Sequence, residues 1–274
     1  MFKNKSIGLL AAAVLLSSMT VRADIRDTIQ AAKAGTTVTV SGTYIVSNTI
    51  SVPSGVTVKG PATFNFANPN KDGFSVPAAN SAVTLQSLTV QGSLAGFKIY
   101  GSGCLISSCN AVGCHNSGFE LNGSHSVNNT FSSCNSYNNA DSTGGNADGF
   151  AGKNGCGAGN KMQNCIAHNN SDDGYDFYYA NYPIAVSGCQ SYSEGSAQGK
   201  TGNGDGFKMG GAGTSASHTF TSCVAHNNTA GNTGSGFDSN NNGARLYLTT
   251  CHSYSNKKKD RLVNCQLTNC TMQQ

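Results

Sequence analysis

Short runs in which apolar and polar residues alternate recur along this chain, and most of them end in cysteine. Examples are Thr130-Phe131-Ser132-Ser133-Cys134, Lys161-Met162-Gln163-Asn164-Cys165, His218-Thr219-Phe220-Thr221-Ser222-Cys223 and Leu246-Tyr247-Leu248-Thr249-Thr250-Cys251. Alternation with a period of two is the mark of a strand with one buried face. A second mark, Gly followed by Phe or Tyr, recurs at Gly73, Gly96, Gly118, Gly149, Gly174, Gly206 and Gly236, at intervals of 23, 22, 31, 25, 32 and 30 residues. Such a period predicts one coil per repeat, each burying its face on the next. The units leave no room for helices between the strands, so the fold class expected is all-β, a parallel β-helix. The uneven intervals predict loops of variable length on one side, where binding and catalysis usually sit.

Stacked coils place equivalent residues in columns roughly 4.8 Å apart. Cys109, Cys134, Cys165, Cys189, Cys223 and Cys251 form one column, read as a buried ladder of free thiols, because that spacing exceeds the usual disulfide Cβ separation of about 3.8 Å. Cys104, Cys114, Cys156, Cys265 and Cys270 lie outside it and leave room for a bridge; Cys270 is also placed to extend the column. Asn138, Asn169 and Asn227 are expected to form an amide ladder. Asp24 to Ala34 reads as a short amphipathic helix, with Ile25, Ile29 and Ala32 on one face, capping the open end of the solenoid. Val38 to Phe66 would supply the first coils.

Composition narrows the function. The chain has 274 residues, 34 of them Gly and none Trp, and only 11% are charged. That is enough for one substantial core and unlike a helical bundle or a disordered chain. Residues 1–23 read as a secretion signal: Lys3 and Lys5, the apolar run Ile7 to Leu16, and a cleavage site at Val21-Arg22-Ala23. The run is too short to span a membrane. Its removal takes the formal charge from +4 to +1, so net charge does not argue for nucleic acid. The expectation is a secreted monomer with one domain over 24–274. Lys257-Lys258-Lys259 reads as a solvated loop.

The acidic residues carry the chemistry. Only 13 occur, yet Asp148, Asp173 and Asp205 each precede a Gly-aromatic mark, and Asp172 adjoins Asp173. The residue after the aromatic is Glu120, Ala151, Asp176, Lys208 and Asp238 in five successive coils. An inward aromatic sends its successor outward, so Asp176 and Lys208 should share a face one coil apart. Four carboxylates gathered there repel one another without a cation. Calcium accepts such irregular oxygen sets, whereas zinc prefers Cys and His. A lysine beside bound calcium has its pKa lowered and can act as a base. A uronic sugar offers the matching proton at C5, and its removal with loss of the C4 oxygen is β-elimination. Lys153 and Arg245 are candidates for binding substrate carboxylates. His168 and His226 occupy matched repeat positions and read as structural.

Three ordered motifs then resemble family 9 polysaccharide lyases: Asn146-Ala147-Asp148-Gly149-Phe150, Asn170-Ser171-Asp172-Asp173-Gly174-Tyr175-Asp176 and Gly202-Asn203-Gly204-Asp205-Gly206-Phe207-Lys208-Met209-Gly210-Gly211. Gly236-Phe237-Asp238 extends the match. The resemblance implies a right-handed parallel β-helix. It implies calcium on Asp148, Asp172, Asp173 and Asp176, Lys208 as the base, and polygalacturonate as substrate. Asp205 departs from the neutral residue, often Asn, expected beside the base. The alternatives are a lyase for another uronate polymer and a non-catalytic, calcium-stabilised glycan-binding solenoid. A polygalacturonase is disfavoured, because its Gly-His-Gly and Arg-Ile-Lys motifs are absent.

Overall fold

The computed structural model describes residues 24–211 and 213–274; the secretion-signal reading lies outside them. They form a parallel β-helix with three strands in each regular coil. One strand per coil enters an eight-stranded parallel sheet: Ile50–Ser51, Phe74–Val76, Phe97–Ile99, Phe119–Asn122, Phe150–Lys153, Tyr175–Asp176, Phe207–Lys208 and Phe237–Asp238. The other two, such as Thr130–Ser132 and Asn135–Tyr137, lie in a seventeen-stranded sheet. Between them the chain bends at a left-handed residue, for example Ser133, Asn164, Ser222 or Thr250 with φ of 53–54°. The cysteine that follows is thereby turned inward.

Both sequence marks have a steric cause. The aromatics Phe74, Phe97, Phe119, Phe150, Tyr175, Phe207 and Phe237 are fully buried. They stack face to face through the core at centroid spacings of 4.6–5.8 Å, in the range favourable for ring pairs. The preceding glycine is required by close approach. A Cβ on Gly149, Gly174 or Gly206 would lie 2.7 Å from the carbonyl oxygen of the equivalent glycine in the next coil. The variable loops fall mainly before the eight-stranded sheet. The longest of them, between Gln190–Tyr192 and Phe207–Lys208, contains the hairpin of Ser196–Ala197 and Lys200–Thr201.

The thiol column is present, with all six members buried and free. Their sulfurs donate to backbone carbonyls, as Cys134 does to Ile106 at 3.4 Å and Cys251 to Phe220 at 3.5 Å. Cys270 extends the column, its sulfur accepting from the Cys251 N–H at 3.4 Å. The other cysteines are also free, so none of the eleven forms a bridge.

The amide ladder is displaced by one residue from its expected position. Asn138, Asn169 and Asn227 adopt left-handed φ of 55–57° and point to solvent. That turn carries the next side chain inward, and the buried ladder is Asn139, Asn170, Glu194, Asn228 and Asn256. Each accepts from the backbone N–H of the coil before it, through Asn170 Oδ1 at 3.2 Å, Glu194 Oε2 at 2.8 Å, and Asn228 and Asn256 Oδ1 at 3.1 Å. Cys114 begins this column by donating its N–H to Asn139 at 2.9 Å. On the outside, Tyr137, His168, Tyr192, His226 and Tyr254 stack in nearly parallel rings 4.8–5.2 Å apart, which accounts for the matched histidines.

The capping helix is shorter than expected, Ile25–Gln30, with Asp24 as N-cap accepting from Arg26 N. Ile29 is fully buried, and Ile25 and Ala32 pack against the same core. The helix packs on Ile50–Ser51. Among the described residues no helix is long and apolar enough to cross a membrane. Lys257, Lys258 and Lys259 lie exposed in a late loop, as expected.

Candidate active site

The parallel register of the eight-stranded sheet builds the site. Glu120 pairs with Ala151, Ala151 with Asp176, Asp176 with Lys208 and Lys208 with Asp238. These residues follow the buried aromatics and project from the outer face. A second column runs along the sheet's edge. Ser117 donates to Asp148 Oδ2 at 3.1 Å, Asp173 N–H to Asp148 Oδ1 at 3.3 Å, Asp205 N–H to Asp173 Oδ1 at 2.8 Å, and Ser235 N–H to Asp205 Oδ1 at 2.8 Å. Each carboxylate is thus pinned by the next coil's backbone, with one oxygen left for other work.

The two columns meet at Asp148, Asp173 and Asp176, where one oxygen from each lies within 4.8 Å of the others. All three are buried. Two lysines flank them. Lys153 Nζ is 2.7 Å from Asp148 Oδ2 and 3.5 Å from Asp176 Oδ2. Lys208 Nζ is 3.0 Å from Asp173 Oδ2 and 3.6 Å from Asp176 Oδ2. The ring of Tyr178, two residues beyond Asp176, lies 5.8 Å from Lys208 Nζ, within cation–π range.

Asp172 stands beside this group rather than within it, its Oδ1 accepting from the Asn203 N–H at 2.7 Å. Asp205 pairs with Arg261 rather than with Lys208, its Oδ2 3.4 Å from the guanidinium, which also grips Asp238. Arg245 is exposed at the entrance to Leu246–Thr249 of the other sheet and pairs with no carboxylate among the described residues. Sequence reading named Lys153 as a substrate ligand; its hold on Asp148 and Asp176 was not legible there, since it depends on how the side chain folds back. The closeness of Tyr178 was missed as well, and its two-residue offset from Asp176 was the available signal.

The electrostatics oppose bare carboxylates. Burial, and then the Asp148 charge, push Asp172 up to about 7. Asp148 is raised by burial against the pull of Lys153. Asp173 is raised well above the usual carboxylate range by burial and by Asp172. For Lys208, burial favours the neutral amine, but Asp173, Asp176 and Asp148 outweigh it and hold the pKa above the ordinary value. A neutral amine at Lys208 therefore requires those carboxylates to be balanced by another charge. The donor set fits calcium. It is all oxygen, irregular and drawn from two coils, and the buried Oδ2 of Asp173 makes no hydrogen bond despite facing Lys208.

Fold and site together define a parallel β-helix protein with a carboxylate–lysine centre on one sheet. Residues 17–269 match the family model described as the Pel9A-like, right handed beta helix region, and the chain belongs to that family. It is 38% identical over 133 residues to "Pectate lyase L" of Thermoclostridium stercorarium, covering 46% of this chain and 10% of that protein. It is 35% identical over 147 residues to "Pectate lyase L" of Dickeya chrysanthemi, covering 52% and 33%. This chain thus spans a third or less of the length of these relatives. The structure superposes on that of pectate lyase Pel9A with a TM-score of 0.76 at 25% identity, covering 89% of this chain and 72% of that one. It also shares the fold of a rhamnogalacturonan lyase, with a TM-score of 0.71, 22% identity and coverage of 84% and 68%.

Proposed function

We propose that this protein is an exported, calcium-dependent lyase that cleaves polygalacturonate by β-elimination. Lys208 is the base, and Asp148, Asp172, Asp173 and Asp176 are the carboxylates that hold the ion, directly or from beside it. The observation that carries the reading is the placement of Lys208 in register with Asp176, 3.0 Å from Asp173, beside a buried group of three carboxylates. Membership of the family and likeness to proteins named pectate lyases support it.

When bound, calcium would neutralise the carboxylates around Lys208 and draw charge from the sugar's carboxylate, acidifying the C5 hydrogen. The chain's own residues do the rest. Lys208 Nζ, neutral once its carboxylates are balanced, takes the proton from C5. The electron pair left at C5 forms the C4–C5 double bond as the C4–O bond breaks, and the leaving oxygen takes a proton from water. Asp148 and Asp173 are held still by backbone N–H groups of the next coil, so the site is organised before substrate arrives. Because the base must be neutral, activity should rise towards alkaline pH.

The test is ultraviolet absorbance of polygalacturonate incubated with the protein and calcium, followed by a chelator. An unsaturated product that the chelator suppresses is expected. Lys208→Ala should abolish it while leaving the fold and calcium binding intact. Full turnover in that variant would remove Lys208 as the base. Absence of product from folded, calcium-loaded wild type would remove polygalacturonate as the substrate.

A further inference from the structure

Among the described residues, the Lys208 ammonium is held by Asp173 at 3.0 Å, by Asp176 at 3.6 Å, and by the ring of Tyr178, whose centroid lies 5.8 Å away. We infer that Tyr178 is a positioning residue for the base: its ring is the wall that keeps the Lys208 amine aimed at the reacting sugar when the carboxylates are engaged by a cation. The inference rests on the lyase reading and deepens it.

The need for such a wall follows from the site. A lysine carries its charge on a flexible four-carbon stem, and the Lys208 side chain is only 12% exposed. Its two ion pairs use oxygens of carboxylates that the lyase reading gives to calcium. Once those oxygens are claimed, the ion pairs no longer fix the amine, and a misplaced base is slow. The Tyr178 ring attracts an ammonium through its face. It takes no proton, so it limits where the amine swings and leaves the lone pair free.

The ring is seated, and its seat is built from the coil that carries the base. Asp176 pairs with Lys208 in the sheet, and Phe177 donates its N–H to the Lys208 carbonyl at 3.0 Å, so the chain reaches Tyr178 one coil from the amine. Tyr178 N–H then donates to Asp176 Oδ1 at 2.9 Å, which leaves Oδ2 towards the lysines. On its other side, Tyr179 N–H donates to Thr214 Oγ1 at 3.2 Å. Thr214 is itself tied to the Gly211 carbonyl, through its hydroxyl at 2.6 Å and its N–H at 3.0 Å. The backbone on both sides of the ring is therefore fixed. The ring lies against Gly211, three residues after the base, where a Cβ would come 2.5 Å from Tyr178 Cδ2. Asn240 Nδ2 donates to the Gly210 carbonyl at 2.8 Å and braces the same segment from the following coil. The two glycines after Lys208-Met209 thus make room for an aromatic ring beside the base.

The experiment measures kcat and KM on polygalacturonate at saturating calcium for wild type, Tyr178→Leu and Tyr178→Phe. Tyr178 is 42% exposed, so neither change empties the core. Tyr178→Leu should lower kcat roughly ten- to a hundredfold, the cost of a loosely held reacting group, with KM little changed. Tyr178→Phe keeps the ring and should recover most of kcat. Wild-type kcat in Tyr178→Leu overturns the inference. So does a loss in Tyr178→Phe as large as in Tyr178→Leu, which would assign the effect to the hydroxyl, and so does a rise in KM alone, which would make the ring a sugar contact. A readout independent of turnover is the rate at which acetic anhydride acetylates Lys208 in the calcium-loaded proteins, followed by peptide mass spectrometry against the exposed Lys161. Lys208 should react severalfold faster in Tyr178→Leu and at the wild-type rate in Tyr178→Phe; equal rates in all three overturn the wall. If wild type releases no unsaturated product, the lyase reading falls by itself and the acetylation rates alone decide whether the ring confines the amine.

Discussion

Lys153 occupies the position that a cation bound between Asp148 and Asp176 would claim. Its ammonium is 2.7 Å from Asp148 Oδ2 and 3.5 Å from Asp176 Oδ2, with 19% of the side chain exposed and Asp148 fully buried. Asp148 also takes hydrogen bonds from Ser117 and from the Asp173 N–H, so its carboxylate is fixed and the lysine is the mobile partner. A divalent ion binding these oxygens must displace that ammonium. A hydrogen bond to a charged group contributes roughly 1.5–3 kcal/mol, and part of it is recovered when the displaced ammonium reaches water. Lys153→Met keeps the length of the stem and removes the competitor. Calcium affinity should then rise by roughly ten- to a hundredfold. The apo variant should melt lower than wild type, because Asp148 is left buried without its partner. The assay is calcium titration by calorimetry at constant ionic strength and mildly alkaline pH, with thermal melts in chelator. Equal or weaker calcium binding by a folded Lys153→Met would refute the competition and separate Lys153 from the cation site.

Two buried groups should give opposing pH slopes. Burial pushes His218 down to about 3, and its Nδ1 accepts from the Ile184 N–H at 3.0 Å. Below the unfolded value of about 6.5 the unfolded chain gains a proton that the folded chain refuses, so stability falls with pH by up to about 1.4 kcal/mol per unit. His218→Asn keeps a side-chain acceptor for the Ile184 N–H, and urea unfolding between neutral and mildly acid pH should show that slope removed. Glu194 acts in the opposite sense. Burial raises its carboxyl well above the ordinary range despite hydrogen bonds from Asn170 and Ser191. The folded chain then keeps a proton that the unfolded chain loses above about pH 4.3, so stability falls as pH rises through that region. Glu194→Gln should be more stable than wild type at neutral pH, with the difference vanishing in acid; no gain at neutral pH would mean that the ladder needs the carboxyl itself.

Much of the fold was legible in the sequence because a solenoid repeats its constraints in every coil. The Gly-aromatic mark predicts one aromatic stack, and the structure adds the reason for the glycine, a carbonyl of the next coil too close for any Cβ. The thiol column was legible for the same reason. The amide ladder was placed one residue early, because sequence alone does not reveal which residue of an Asn-Asn pair takes the left-handed turn and which is thereby driven inward. The short helix ended earlier than its apolar spacing suggested, at Gln30 rather than Ala34.

The candidate site divides in the same way. Sequence by itself determined that Asp148, Asp173, Asp176 and Lys208 recur at matched repeat positions, and strand periodicity then dictates which of them share a face. Only tertiary structure decided how the side chains spend their oxygens and charges. Asp172 is turned to the Asn203 N–H and Asp205 to Arg261, while Lys153 folds back onto Asp148. Those choices depend on loops of unequal length and on long, freely rotating side chains, whose positions no repeat specifies. The pairing of Lys98 with Glu120 lay outside the motifs, because it is made by register between two coils that carry no aspartate before their Gly-aromatic mark.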